Sequence, residues 1–143
     1  MAPPPRPVAE VVWAIHRKLY GATRGRIGHH FLGMRSLLLT TRGRKSGQLR
    51  STALMYQEDG PALAVVASNL GSDRPPAWWL NLQANPVAEV RLGTERRRIR
   101  AREAAPDERD RLWERFVEMY ADYEAYESST SRRIPIVLLE PAA

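Results

Sequence analysis

Short strand-like runs separated by turn residues constrain the fold of this chain more than any other feature. Six runs have the length and composition of β-strands: residues 35–41, 51–57, 61–68, 88–93, 96–104 and 134–140. The segment 58–60 and the pair Gly93–Thr94 are turn signals that predict two tight hairpins. Because no regular helices alternate with these runs, they predict an antiparallel barrel rather than a doubly wound sheet.

Helical patterns occupy three other stretches. Apolar positions recur at helical spacing over residues 8–20, which predicts an amphipathic helix. Residues 77–86 predict a short helix that ends at the Asn85–Pro86 break, and residues 106–120 begin with proline and acids, as helices do. We therefore divide the chain into an N-terminal flexible segment and helix, 1–34, and a barrel domain, 35–143.

Composition narrows the functional class. The 143 residues include no cysteine, which excludes disulfides and thiolate chemistry. No apolar run reaches the roughly 18 residues of a spanning helix, and the start lacks the apolar core of a signal peptide. We expect a cytoplasmic protein, with contact to the inner face of the membrane through the helix at 8–20 left open. The net charge of +6 rests on 22 basic residues, of which all but Lys18 and Lys45 are arginine.

The segment 40–52, TTRGRKSGQLRST, concentrates positive charge. It holds four basic side chains, five hydroxyls and two glycines without an acid. Backbone N–H groups freed by glycine, together with Arg44, Lys45 and Arg50, suit a phosphate. The segment is not a nucleotide P-loop, because Arg44 stands where that motif needs glycine and a strand rather than a helix follows. A solvated hairpin loop is the alternative.

Two further stretches suggest walls of a pocket. Small residues end the run at 61–68, where a flat ring could approach the backbone, and Trp78 or Trp79 could pack against it while the other enters the core. Tyr120, Tyr123 and Tyr126 are spaced by three, which predicts one helical face carrying three hydroxyls. Ordinary core packing is the alternative for both. The three histidines have no spacing that suits a shared metal, and none is predicted.

Four segments together resemble one family: LLLTTRGRKSGQLRSTAL, VVASNLG, PAWWLNLQANP and RLWERFVEMYADYEAY…IPIVLLEP. From about residue 36 to 140 the chain is similar to the deazaflavin-dependent nitroreductases, a branch of the flavin/deazaflavin split-barrel oxidoreductases of actinobacteria. The resemblance implies a six-stranded antiparallel split β-barrel. It also implies coenzyme F-420, an 8-hydroxy-5-deazaflavin that bears a phosphate and an oligoglutamate tail.

The resemblance also assigns expected roles to residues. Cofactor contacts are expected along the basic loop, two strands and one helix: Arg44, Lys45, Ser46, Arg50, Ser51, Thr52, Ala53, Leu54, Met55, Val66, Ala67, Ser68, Asn69, Ala77, Trp78, Trp79, Leu80 and Asn81. Catalytic hydroxyls near the substrate are expected at Ser68, Tyr120, Tyr123 and Tyr126, with Tyr123 also touching the cofactor. Ala53 stands where the family often has proline, and Trp79 where it often has tyrosine or histidine, so substrate choice is less constrained than cofactor choice.

The expected activity is hydride transfer from reduced F-420 to an electron-poor acceptor such as a quinone, a conjugated ene-carbonyl compound or a nitroaromatic. Alternatives are an FMN-dependent enzyme of the same fold, and a cofactor carrier without its own catalysis. A basic pI of about 10.3 suggests nucleic-acid binding as a further alternative. We expect none, because no recognition motif accompanies the charge. A homodimer is left open.

Overall fold

A computed structural model describes His30–Phe31 and residues 34–142. The predicted helix at 8–20, and with it the suggested membrane contact, lies outside the described residues. Within the described part, no helix is both long and apolar enough to cross a bilayer.

One antiparallel sheet forms the body of the described chain. Its strands are β1 (His30–Phe31), β2 (Met34–Arg42), β3 (Leu49–Met55), β4 (Gln57–Asp59), β5 (Ala62–Val66), β6 (Val87–Leu92), β7 (Glu95–Glu103) and β8 (Ile136–Pro141). The order across the sheet is β1-β2-β6-β7-β8-β5-β4, and β3 pairs with β2. Every pairing is antiparallel, so the six predicted strands and the antiparallel architecture are confirmed, and β1 and β4 are two short additions.

The two predicted hairpins form where glycine meets the needs of the turn. Asp59 pairs with Ala62, and Leu92 pairs with Glu95, so each loop has two residues. The first loop residue is Gly60 or Gly93, each with φ of 59°, a left-handed conformation that glycine adopts without strain.

The predicted strand 51–57 is not continuous. β3 ends at Met55, and the Tyr56 N–H still donates to the Arg35 carbonyl on β2, at 3.3 Å. From Gln57 the chain pairs with β5 instead. The strand therefore changes partners at Tyr56, and the expected hairpin joins β4, not β3, to β5.

The strands with continuous apolar sequence are buried on both faces. Alternate residues of β5 and β8, such as Val65 and Val137, enter an inner core. The intervening residues, such as Ala64 and Leu138, enter an outer core beneath two helices. All five residues of β5 are buried. A strand covered on both faces loses the apolar–polar alternation of a half-exposed strand.

Three helices complete the described fold. The helix α1 (Ala77–Ala84) packs on the inner core, and α2 (Pro106–Met119) and α3 (Asp122–Ser128) cover the outer core. The helices at 77–86 and 106–120 are confirmed. The three tyrosines do not share one helix, because α2 ends before Tyr120, which has an extended backbone (φ −149°, ψ 99°), and α3 starts two residues later.

Candidate functional site

A cleft of about 740 Å³ lies between the outer edge of β3 and the helical side of the fold. We call it the central cleft. Among the described residues β3 pairs only with β2, so its other edge borders the cleft. Residues of both side-chain directions on β3 line the cleft, as expected where a strand presents its edge. The lining residues are Leu49, Arg50, Ser51, Thr52, Ala53, Leu54, Met55, Val66, Ser68, Asn69, Leu70, Pro76, Ala77, Trp78, Asn81, Tyr120, Tyr123 and Tyr126.

One end of the central cleft is basic. Arg50 lines it, and the loop 43–48 between β2 and β3 carries Arg44 and Lys45 beside it. In the described part of the chain, neither the Lys45 ammonium nor the Arg50 guanidinium has a hydrogen-bonding or ionic partner. A cation left without an acid beside a cleft is suited to an anionic ligand.

Asn81 on α1 holds the basic loop in place. Its side-chain oxygen accepts hydrogen bonds from the Arg44 N–H, at 3.1 Å, and from the Arg44 guanidinium, at 3.0 Å. Its Nδ2 donates to the Thr41 hydroxyl at 3.1 Å. Asn81 is only 4% exposed and also lines the central cleft, so one buried amide joins helix, strand and loop.

The two tryptophans of α1 take different positions. Trp78 lines the central cleft, whereas Trp79 packs in the inner core and does not line it. Both are nearly buried, at 8% and 7% exposure. Successive helical residues point about 100° apart, so one helix can supply a wall and a core anchor from neighbouring positions.

The end of β5 turns sharply into the central cleft. Ser68 follows the strand, and Asn69 and Leu70 both have positive φ, 47° and 56°. Such left-handed conformations cost a non-glycine residue about 1 kcal/mol or more, and they concentrate at functional sites. The Asn69 amide group donates to the Arg74 carbonyl at 2.9 Å, which closes the loop on itself.

Three tyrosines line the central cleft and pack in the same core as Met55, which ends β3, whereas Arg50 lies near the start of that strand. The ring centroids of Tyr120 and Tyr123 are 5.4 Å apart, those of Tyr123 and Tyr126 6.0 Å, and those of Tyr120 and Tyr126 6.4 Å. Burial raises the pKa of all three phenols above its usual value, and for Tyr120 the nearby Tyr126 and Asp122 raise it further. All three therefore stay protonated at neutral pH and can donate hydrogen bonds.

The sequence-predicted residues are mostly brought together. Six of them do not line the central cleft: Arg44, Lys45, Ser46, Ala67, Trp79 and Leu80. The first three lie on the exposed loop at its basic end. Ala67, which directly precedes Ser68 in the sequence, is fully buried. Sequence reasoning missed Leu49, Leu70 and Pro76. All three are direct sequence neighbours of predicted residues, and Leu70 belongs to the left-handed turn.

A second depression of about 610 Å³ lies on the outer sheet face, and Leu49 lines both it and the central cleft. Its other lining residues are Thr40, Arg42, Asn85, Val87, Ala88, Glu89, Arg96 and Arg98. Arg96 contacts Glu89 at 3.7 Å, whereas the Arg98 guanidinium has no partner among the described residues. Three arginines face one acid there. Within the described part, no cluster of three His, Asp or Glu residues could hold a metal ion.

Comparisons with known proteins agree with this geometry. The family model described as F-420H(2)-dependent quinone reductase matches residues 13–141. An F-420H(2)-dependent quinone reductase of Mycobacterium tuberculosis is 44% identical over 129 residues, which cover 87% of each chain. A solved structure described as an F-420-H2 dependent reductase, FDR-A, is 38% identical, with a TM-score of 0.67, and covers 73% of this chain and 93% of that one.

A second solved structure, described as a domain-swapped dimer, is 34% identical, with a TM-score of 0.69, and covers 92% of this chain and 99% of that one. The split-barrel fold and the family resemblance read from the sequence are thereby confirmed. The chain belongs to the F-420H(2)-dependent quinone reductase family.

Proposed function

We propose that this chain reduces a quinone at the expense of reduced coenzyme F-420, and that both molecules bind in the central cleft. The observation that carries the proposal is the polarity of the cleft. Lys45 and Arg50, which have no partner among the described residues, lie around the start of β3, and neutral phenols lie towards its end, in one core with Met55. A long molecule with an anionic arm and a neutral ring suits this arrangement.

The residues present fit the cofactor. Arg50 and Lys45 supply charge for its phosphate, and the hydroxyls of Ser51 and Thr52 add donors on the same strand. Val66 and Trp78 offer apolar walls for a flat ring. FMN also carries a phosphate, so the basic end alone does not separate the two cofactors. The family match favours F-420.

When bound, the reduced coenzyme supplies the hydride, and the quinone takes up that hydride and one proton to become the hydroquinone. The chain orients the reactants and places donors where negative charge develops on the quinone oxygen. Ser68 and Tyr126 line the central cleft as protonated hydroxyls, so either can donate a hydrogen bond to that oxygen. Apolar and aromatic walls exclude water around them.

Titration of the apoprotein tests the cofactor assignment. Trp78 lines the central cleft, so bound coenzyme should quench tryptophan fluorescence. R50Q should weaken the binding of oxidised F-420 by about 10- to 100-fold. This factor corresponds to the loss of about 1.5–3 kcal/mol that is usual for a hydrogen bond to a charged group. R115Q is the matched control, since Arg115 is exposed on α2 and, within the described residues, its side chain bonds the Glu58 carbonyl alone, at 3.2 Å. Unchanged affinity in R50Q, or tighter binding of FMN than of F-420, would contradict the assignment.

Turnover tests the reaction. Reduced F-420 mixed with menadione and the protein should regain its oxidised visible absorbance at a rate proportional to enzyme concentration. A nitroimidazole and an unsaturated lactone serve as competing acceptor classes in parallel. Cofactor binding without oxidation by any acceptor would instead identify a carrier protein.

The arginines of the second depression provide countercharge for the oligoglutamate tail. The depression shares Leu49 with the central cleft, so a chain leaving the basic end reaches it directly. R98Q should weaken the binding of the full-length coenzyme more than it weakens the binding of a phosphorylated form without the tail. Equal effects on both forms would remove the tail from the proposal.

A homodimer and a cytoplasmic location complete the proposal. The dimer is supported by the 34% identical structure that is described as a domain-swapped dimer. Sedimentation velocity at micromolar concentration would test it. Fractionation of the source cells into soluble and membrane pools would test the location and any membrane contact.

A further inference from the structure

Arg132 binds backbone rather than acid. Its Nε donates to the Ser72 carbonyl at 2.9 Å, and its Nη2 donates to the carbonyls of Ala67 and Ser68 at 3.0 and 2.8 Å. Burial lowers the pKa of this guanidinium, the charge of Asp73 partly opposes that change, and no carboxylate in the described part lies within ion-pair distance of it. A partly buried arginine bound to three carbonyls fixes the path of that backbone.

The carbonyls that Arg132 holds determine where the opposite groups point. In a trans peptide the C=O and the N–H point in opposite directions. The Ala67 carbonyl faces Arg132, so the Ser68 N–H faces away from it. Ser68 lines the central cleft and is only 8% exposed.

Ser68 carries unused donors. Among the described residues, neither its N–H nor its hydroxyl has a hydrogen-bond partner. A buried polar group without a partner destabilises the fold, and such groups in native proteins call for an explanation such as a ligand. Two at one residue on a cleft wall indicate that an occupant of the cleft satisfies them.

The segment after α3 stabilises a strained turn here. The Ser129 hydroxyl lies 3.1 Å from the Gly71 carbonyl and 2.9 Å from the Tyr126 carbonyl and can donate to either, and the Thr130 hydroxyl donates to the Asp73 carboxylate at 2.6 Å. Together with Arg132 these contacts join residues 129–132 to residues 67–73. Backbone strain at the left-handed turn persists only where the surroundings enforce it, and residues 129–132 supply that enforcement.

We propose that Arg132 is a positioning residue that presents the Ser68 N–H to the central cleft, where it donates a hydrogen bond to a carbonyl oxygen of the bound quinone. That oxygen gains negative charge as the quinone is reduced, and a fixed backbone donor stabilises the charge without reorganising. The identity of the occupant rests on the function proposed above. The direction of the Ser68 N–H rests only on the chain's own contacts.

R132K is the decisive variant, because lysine keeps the charge but its single ammonium cannot reproduce the fixed fork that reaches all three carbonyls. We expect kcat for menadione reduction to fall about 10- to 100-fold, less than the roughly 100- to 1000-fold loss when an oxyanion donor is removed outright, because R132K displaces the donor without removing it. KM for menadione should change by less than about threefold, since the donor acts mainly on developing charge. R133K is the matched control, because neighbouring Arg133 makes only an exposed 3.8 Å contact with Asp110 and should behave as wild type.

Amide measurements test the same claim without turnover. In the cofactor-free protein, R132K should accelerate hydrogen exchange at Gly71, whose N–H donates to the Ser68 carbonyl at 2.9 Å, and R133K should not. In the wild type, saturating oxidised F-420 and menadione should shift the Ser68 amide proton downfield. If R132K matches R133K in kcat, or if exchange at Gly71 is unchanged, the positioning role is refuted, even if R132K has lost stability. A wild-type protein that binds no F-420 would refute the proposed function instead, and the exchange result would still decide the role of Arg132.

Discussion

Replacing Asn81 by alanine tests whether the basic loop must be held by α1. The substitution removes three hydrogen bonds, two from Arg44 and one to Thr41. Each bond contributes about 1 kcal/mol, and the bond from the exposed guanidinium less, so the loss is about 2–3 kcal/mol. For a domain of this size that is a fall of roughly 6–12 °C in the unfolding temperature.

The N81A substitution should also weaken the binding of the coenzyme. Without Asn81 the loop must be ordered when the ligand binds, and about 1.4 kcal/mol of ordering cost corresponds to a tenfold higher Kd. Calorimetry gives the unfolding temperature, and tryptophan quenching gives the Kd. Q83A is the matched control on the same helix, since exposed Gln83 has no side-chain hydrogen bond among the described residues and lines neither the central cleft nor the second depression. Equal unfolding temperatures for N81A and Q83A, or unchanged coenzyme affinity in N81A, would refute the reasoning.

Three further predictions concern stability. G71A should lower the free energy of unfolding by at least 1 kcal/mol more than G60A, measured by urea denaturation, because φ is positive at both but only at Gly71 would a Cβ collide with the segment after α3. The hydrogen bond from Arg102 lowers the pKa of Glu108 to about 2, so the stability that wild type has over E108Q should be full above about pH 4.5 and disappear as the pH falls towards 2 in acid melts. R109K should cost about 2–3 kcal/mol in urea denaturation without changing KM for menadione, because buried Arg109 bonds a backbone carbonyl twice and an acid once, away from the central cleft.

Local chemistry made most of the fold predictable. Gly60 and Gly93 determine two-residue hairpins by themselves, and Pro106 with the acids after it marks a helix start. The partner change at Tyr56 was not predictable, because it depends on a contact with Arg35, 21 residues away in sequence. The separation of Tyr120 from α3 was also missed, since three residues per step fit one continuous helix equally well.

The same distinction applies to the site. Ser68, Trp78 and Asn81 were accessible through the family resemblance, and the structure places all three on one cleft. Arg132 carries no local sign of its role. It follows a run of small polar residues, and only the tertiary structure brings it against the carbonyls of a strand end 64 and 65 residues earlier in sequence.

Among the described strands, none pairs with the outer side of β3, and this has a consequence for handling the protein. An open strand edge is a template on which a second polypeptide can add a strand, and repeated addition leads to aggregates. Here the groove that must admit the coenzyme keeps that edge from being closed by the chain's own strands. A small molecule bound in the groove therefore also covers the exposed backbone groups of this edge. Protein saturated with coenzyme should aggregate more slowly on storage than cofactor-free protein.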